Sequence, residues 1–128
     1  MRLLLDTHAL LWFCEGSDSL SRRAKSAMQD TANQCFVSHA SAWEIAIKVS
    51  LNKLKLDVEY GALFPSAVLS NGFQILEQRA EHYIELISLP FHHRDPFDRL
   101  LIAQARSEKM TLVSRDSEFP PYGVPILW

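Results

Sequence analysis

A chain of 128 residues, 48% of them hydrophobic, can bury one substantial core without disulfides, and a single domain over residues 1–128 is expected. Its 13 basic and 15 acidic side chains leave a net charge of −2, which excludes a global basic footprint; any nucleic-acid contact must come from local bases or from a metal ion. The two cysteines, Cys14 and Cys35, have neither CxxC nor histidine spacing, which excludes a zinc ribbon and a disulfide framework and fits a reducing cytoplasm.

Met1-Arg2-Leu3-Leu4-Leu5 meets Asp6 too early for a signal peptide, and no later apolar run is long enough for a bilayer, so a soluble protein is expected. Arg2 to Leu5 reads as a buried parallel strand ending at Asp6, followed by a short helix over Thr7 to Phe13. Ser19 to Ala32 carries Leu20, Ala24, Ala27 and Met28 on one side and reads as an amphipathic helix. Cys35 to Ser38 is a second buried strand, and Ser41-Ala42-Trp43-Glu44 opens a helix continuing through Val49. A helix over Ala62 to Leu69, with Pro65 tolerated only in its first turn, stops at Asn71-Gly72 before the strand Phe73 to Leu76. Next come a helix from Ala80 to Ile87, a loop through His92 and His93, and a helix from Asp95-Pro96 to Lys109. Thr111 to Ser114 is a strand leading to Asp116, and Val124 to Leu127 is an edge strand because of Pro125. This alternation predicts an α/β sandwich with a central, mainly parallel sheet flanked by helices, binding ligands beyond the carboxyl ends of its strands.

Four acids, Asp6, Glu44, Asp98 and Asp116, end or follow short apolar runs. Should those ends converge, the carboxylates repel one another unless a divalent cation neutralises them, which points to a Mg2+ or Mn2+ site and phosphodiester hydrolysis. Asp6, directly after three leucines, needs a partner or a metal, although it is also placed to cap the following helix. Glu44 completes the spacing of a capping box with Ser41, which taken alone explains it, while Lys48 lies one turn on. Asp95 before Pro96 is a natural N-cap or an orienting neighbour, and Asp98 is the better metal ligand. Asp116 begins a turn just beyond the Ser114 hydroxyl.

Arg94, Arg99 and Arg115 lie beside these acids, where they contact phosphate oxygens or form salt bridges; Lys53 and Lys55 are further candidates to follow an RNA backbone. His92 and His93 are expected in solvent or on RNA; His8 is within reach of the rim of the site, although a lone histidine at a helix start is more often structural. Trp43 is expected in the core, whereas Trp12 and Phe13 are candidates for a partner groove.

The blocks Leu3-Leu4-Leu5-Asp6-Thr7-His8, Ser41-Ala42-Trp43-Glu44-Ile45-Ala46-Ile47-Lys48, Asp95-Pro96-Phe97-Asp98-Arg99-Leu100-Leu101-Ile102-Ala103 and Leu112-Val113-Ser114-Arg115-Asp116 resemble PIN-domain ribonucleases, in the expected order over almost the whole chain. The resemblance implies a PIN-like three-layer sandwich and a VapC-type toxin: a magnesium-dependent endoribonuclease acting on RNA, a homodimer, and inhibition by a cognate antitoxin. It also implies an acidic quartet of Asp6, Glu44, Asp98 and Asp116, with metal held chiefly by Asp6, Asp98 and Asp116. Thr7 and Ser114 would be polar neighbours, Asp95 the extra acid of an Asp-Pro-Phe-Asp subgroup, and Mn2+ a possible substitute ion. Two alternatives remain open at this point: an aspartyl-phosphate-forming phosphatase with Asp6 as nucleophile, which wants an acid where His8 stands, and a non-catalytic, metal-stabilised interaction domain.

Overall fold

The computed structural model describes residues Met1–Trp128. Five strands, β1 (Arg2–Leu5), β2 (Gln34–Ser38), β3 (Gln74–Leu76), β4 (Thr111–Val113) and β5 (Ile126–Leu127), form one sheet in the order β3-β2-β1-β4-β5. Every neighbouring pair is parallel, with Leu4 opposite both Phe36 and Leu112. Six helices cover the faces: α1 (Thr7–Glu15), α2 (Arg22–Gln29), α3 (His39–Ser50), α4 (Val68–Ser70), α5 (Ala80–Ser88) and α6 (Pro96–Glu108). This is the α/β sandwich that the alternating pattern predicts, with β5 at the edge.

Strand alternation splits the core into two apolar layers. Leu3, Leu5, Cys35, Val37 and Val113 point to one side, against Leu10 of α1, Ala24 and Met28 of α2 and Ile45 of α3. Leu4, Phe36 and Leu112 point to the other, against Leu101, Ile102 and Ala105 of α6. A central parallel strand is dry on both faces, which is why β1 reads as an unbroken leucine run rather than an alternating one. Leu3, Leu4 and Leu5 are fully buried, and each such side chain contributes roughly 1.5–3 kcal/mol of transfer free energy.

Three elements depart from the expectations. The second helix is shorter than Ser19 to Ala32, because the Ser21 hydroxyl accepts from Ala24 N–H at 3.0 Å and starts it, while the Asp30 carboxylate takes Ala32 N–H at 2.9 Å and turns the chain out of it. The helix expected over Ala62 to Leu69 is a wide π-type turn, Ala62–Ala67, broken at Phe64 (φ −128°, ψ 116°) before α4. The backbone ahead of a proline avoids the helical region, so Pro65 interrupts the helix instead of sitting in its first turn. Finally, α3 begins at His39 with Ser38 as its cap, the hydroxyl accepting from Ala40 N–H at 3.0 Å. Ser41 therefore lies inside the helix, and no Ser41–Glu44 capping box forms.

Candidate active site

The strand order reverses at β1: β2 and β3 continue to one side of it and β4 and β5 to the other. At such a switch point the connections leave in opposite directions and open a crevice beyond the carboxyl ends of the two strands. Asp6, one residue past β1, and Ser114 and Asp116, just past β4, sit at that crevice, and Asp6 N–H pairs with Val113 O at 3.1 Å. The Ser114 hydroxyl accepts Asp116 N–H at 3.0 Å and lies close enough to the Asp6 carboxyl to influence its pKa, so it stands between the two acids.

Asp6 takes the capping role weighed for it and also stands close to Asp116 at the crevice. Its Oδ1 accepts Ala9 N–H at 2.7 Å and caps α1, yet its side chain is buried beside other carboxylates. Burial is the main influence raising its pKa above the ordinary value of 3.8; the Ser114 and Ala9 hydrogen bonds and His8 oppose that, and Asp116 adds to it.

Glu44 and Asp98 come from α3 and α6, which pack together at the same edge. Freed from any capping box, Glu44 is buried, with Oε1 accepting from the Thr7 hydroxyl at 2.7 Å and Oε2 from Lys48 Nζ at 2.7 Å. Asp98 stands in the first turn of α6, where Pro96 opens the helix and Asp95 caps it by accepting Asp98 N–H at 3.0 Å. Its pKa is pushed up to about 7, first by burial, then by Asp95, with Asp116 and Glu44 adding to the repulsion and a hydrogen bond from His93 opposing it. Asp116 thus acts on Asp6 and on Asp98 alike, while Lys48, itself raised chiefly by its bond to Glu44, feels Asp95 and Asp98. The quartet forms one electrostatic cluster.

A cleft of about 330 Å³ opens beside it, lined by Asp6, His8, Trp12, Arg115, Asp116 and Ser117. Arg115 lies over the Trp12 ring at 4.5 Å, with Trp12 edge-on to Trp128 at 5.9 Å, so the cation is held at the cleft without an ion pair to either acid. Trp12 and Phe13 are half-buried against the core rather than presented as an open groove, Phe13 stacking on Phe73 at 5.3 Å.

Other candidates go elsewhere. Arg99, expected at phosphate, is 4% exposed: its guanidinium donates to Leu89 O (3.1 Å), Pro90 O (2.8 Å) and the Tyr122 hydroxyl (3.2 Å) and stacks on Phe91 at 3.8 Å, which leaves it unable to reach a substrate. Arg94 is exposed on the loop before α6. Lys53 and Lys55 are exposed beyond α3, Lys55 lining a larger hollow of about 520 Å³ with Val49, Leu54 and Tyr60 that includes none of the quartet. His93, expected in solvent, is turned inward, its Nε2 3.2 Å from Asp98 Oδ2, while His92 is exposed with its ring edge-on to Tyr122.

Trp43 corrects another expectation: it is 59% exposed, packed edge-on against Phe97 at 5.3 Å. These rings are the chain neighbours of Glu44 and Asp98, so an open aromatic pair borders the acids. The only signal for it in the sequence is that adjacency, since an aromatic in an apolar helix otherwise reads as core.

The donor set is carboxylate and hydroxyl oxygen with no thiolate, which suits a hard divalent cation such as Mg2+ or Mn2+. The burial and carboxylate repulsion that raise the Asp98 pKa to about 7 are what such a cation would offset. No three of these side chains close into a ready-made cage, and Mg2+ held through one or two carboxylates and its own waters needs none.

Residues 3–124 match the family model of the PIN domain. Among solved structures, the fold is similar to VapBC2 from Rickettsia felis, bound there to a DNA fragment from its promoter (TM-score 0.73, 18% identity, covering 98% of this chain and 97% of that one). It is also similar to VapBC-1 from nontypeable Haemophilus influenzae (TM-score 0.68, 13% identity, 98% and 96%) and to FitAcB from Neisseria gonorrhoeae (TM-score 0.67, 16% identity, 97% and 95%). No curated protein matches at a significant level. At these identities the structural likeness is one of fold, whereas the family match spans nearly the whole length and rests on the sequence: the chain belongs to the PIN-domain family.

Proposed function

We propose that this protein is a magnesium-dependent endoribonuclease, the VapC-type toxin of a toxin–antitoxin pair in the Asp-Pro-Phe-Asp subgroup. The observation that carries the reading is the cluster of acids at the β1/β4 switch point, only Glu44 of which has a lysine or arginine partner, with Asp98 raised to about 7 although it lies at a helix N-terminus that favours its charge. A fold that keeps four mutually repelling carboxylates, Asp6, Glu44, Asp98 and Asp116, gives up stability to do so, and cation binding is the chemistry that repays it. Membership of a family whose domains are generally nucleases using divalent metals supports the same reading.

In this proposal Asp6 and Asp98 hold the ion, with Asp116 completing the set. Glu44, fixed between Thr7 and Lys48, orients attacking water, and Asp95 and Ser114 position Asp98 and Asp116 by accepting their backbone N–H groups. A bound Mg2+, or Mn2+ in its place, supplies a lowered pKa for water and charge neutralisation at phosphate. Arg115, held over Trp12 at the cleft, donates to a phosphate oxygen, and Arg94, Lys53 and Lys55 lie along the outer path of the RNA backbone. The Trp43–Phe97 pair offers a ring face to an unstacked base, which favours single-stranded RNA.

Protein partners have a surface to use. Tyr83, Ile84 and Ile87 of α5, with Phe91 just beyond, are exposed, an apolar stretch suited to a second copy of the chain or to the antitoxin. No helix is long and apolar enough to cross a membrane. The acyl-phosphate alternative gains nothing, because no acid stands at position 8 and Asp6 Oδ1 is engaged as a cap.

The test is cleavage of cellular RNA by the purified chain with Mg2+, and growth arrest on its expression without an antitoxin. Asp6→Asn and Asp98→Asn are expected to fold normally and to lose both activities, by roughly a thousandfold or more, as loss of a principal charge-stabilising group does. Full activity in correctly folded Asp6→Asn would overturn the assignment.

A further inference from the structure

Tyr122, in the short helical turn Pro120–Tyr122, joins three elements through a single hydroxyl. Its oxygen accepts from Arg99 Nη1 at 3.2 Å, from His93 N–H at 3.1 Å and from His92 N–H at 3.3 Å, and it lies 2.7 Å from His93 Nδ1. The hydroxyl has one proton to give, and with N–H donors occupying its acceptor side the short contact to Nδ1 is where that proton goes; the other acceptor in reach, His93 O, is at 3.4 Å. An imidazole that accepts at Nδ1 carries its proton on Nε2, the atom 3.2 Å from Asp98 Oδ2.

We propose that Tyr122 and Arg99 fix His93 in its Nε2–H tautomer, so that His93 is a positioning residue for the Asp98 carboxylate. The guanidinium is anchored in turn by Leu89 O, Pro90 O and the Phe91 ring, so the chain of contacts runs from the α5–α6 loop to the acid without a mobile link. This assigns a purpose to a buried arginine that never reaches the surface, and to the second of two adjacent histidines. Asp98 Oδ2 is held by His93 while its backbone N–H is held by Asp95, leaving Oδ1 without a hydrogen-bond partner in the chain.

The inference rests on the metal-dependent reading for its consequence but not for its geometry, and the test separates the two. ¹⁵N NMR of the histidine ring at pH 8 is expected to show His93 protonated at Nε2 in the wild type and a mixture of tautomers in Tyr122→Phe. Calorimetric titration of the same folded samples with Mg2+ is expected to show about 10–100-fold weaker binding in His93→Leu, the usual cost of losing a partner that orients a ligand, with His93→Gln recovering most of it by supplying an N–H at the same place. A wild-type chain with these tautomer and affinity patterns that fails to cut RNA would sink the ribonuclease reading and leave the positioning role intact. A proton on Nδ1, wild-type Mg2+ affinity in folded His93→Leu, or a His93→Gln as weak as His93→Leu would each overturn the positioning role.

Discussion

The two ends of α6 carry acids in opposite circumstances. At its C-terminal end Glu108, where the helix dipole is unfavourable to an anion, is met by donors and cations: His82 Nε2 at 2.9 Å and the Arg2 and Arg79 guanidiniums at 3.6 and 3.8 Å. The His82 hydrogen bond leads in holding its pKa below the usual value of 4.5. At the N-terminal end Asp98 has the favourable dipole, yet burial and Asp95, Asp116 and Glu44 drive it up to about 7. The difference teaches how to tell a structural carboxylate from a functional one. Glu108 is matched by its neighbours and locks α5, through His82, onto α6 and β1; Asp98 is mismatched in a way that only something outside the chain can correct.

The largest effect on stability is expected at the matched end. Fully buried His82 accepts Arg79 N–H at Nδ1 (3.0 Å), lies 3.3 Å from Gln104 Nε2 and bonds Glu108, so His82→Ala leaves a cavity and several unpaired groups and should cost about 3 kcal/mol in urea unfolding. A cost under about 0.5 kcal/mol, within the range of ordinary surface substitutions, would remove the contrast. At the mismatched end the sign reverses. Because the folded pKa of Asp98 is raised, the folded chain keeps that proton while the unfolded chain loses it between pH 3.8 and about 7, and stability from this group falls across that window. Without metal, Asp98→Asn should therefore be the more stable protein at pH 8, by on the order of 2 kcal/mol, with the gain fading toward pH 4. The smallest effect is the pH response of Glu108. Its depressed pKa contributes stability that is present above 4.5 and lost as the pH falls through the folded value, so Glu108→Gln should cost about 1 kcal/mol at pH 7 and progressively less as the pH falls below 4.5.

What the sequence reveals of this follows from how local each cause is. The leucine run ending at Asp6, and the Asp95-Pro96 opening of α6, declare themselves because strand burial and helix capping act within a few residues. The alternation with helices declares a parallel sheet, and with it the carboxyl edge at which the acids gather, but the strand order β3-β2-β1-β4-β5 is set by tertiary packing. Destinations of long side chains are set by tertiary packing instead. Glu44 carries the spacing of a capping box, but Ser38 caps the helix first and the glutamate turns to Thr7 and Lys48. Arg99 and Arg115 are equally basic neighbours of the acids; one is consumed by the carbonyls of Leu89 and Pro90, and only the other faces the cleft. Trp43 lies in an apolar helix yet is 59% exposed, with the edge-on Phe97 ring against it.

The central claim is that the mismatch at Asp98 exists for a divalent cation, and calorimetric titration of the wild-type chain and Asp98→Asn with Mg2+ at pH 8 and pH 6 tests it directly. With a ligand carboxyl near 7, binding at pH 8 should be about tenfold tighter than at pH 6, where it should release close to one proton, and Asp98→Asn should lose it. Equal affinity at the two pH values, or undiminished binding by folded Asp98→Asn, would contradict the account.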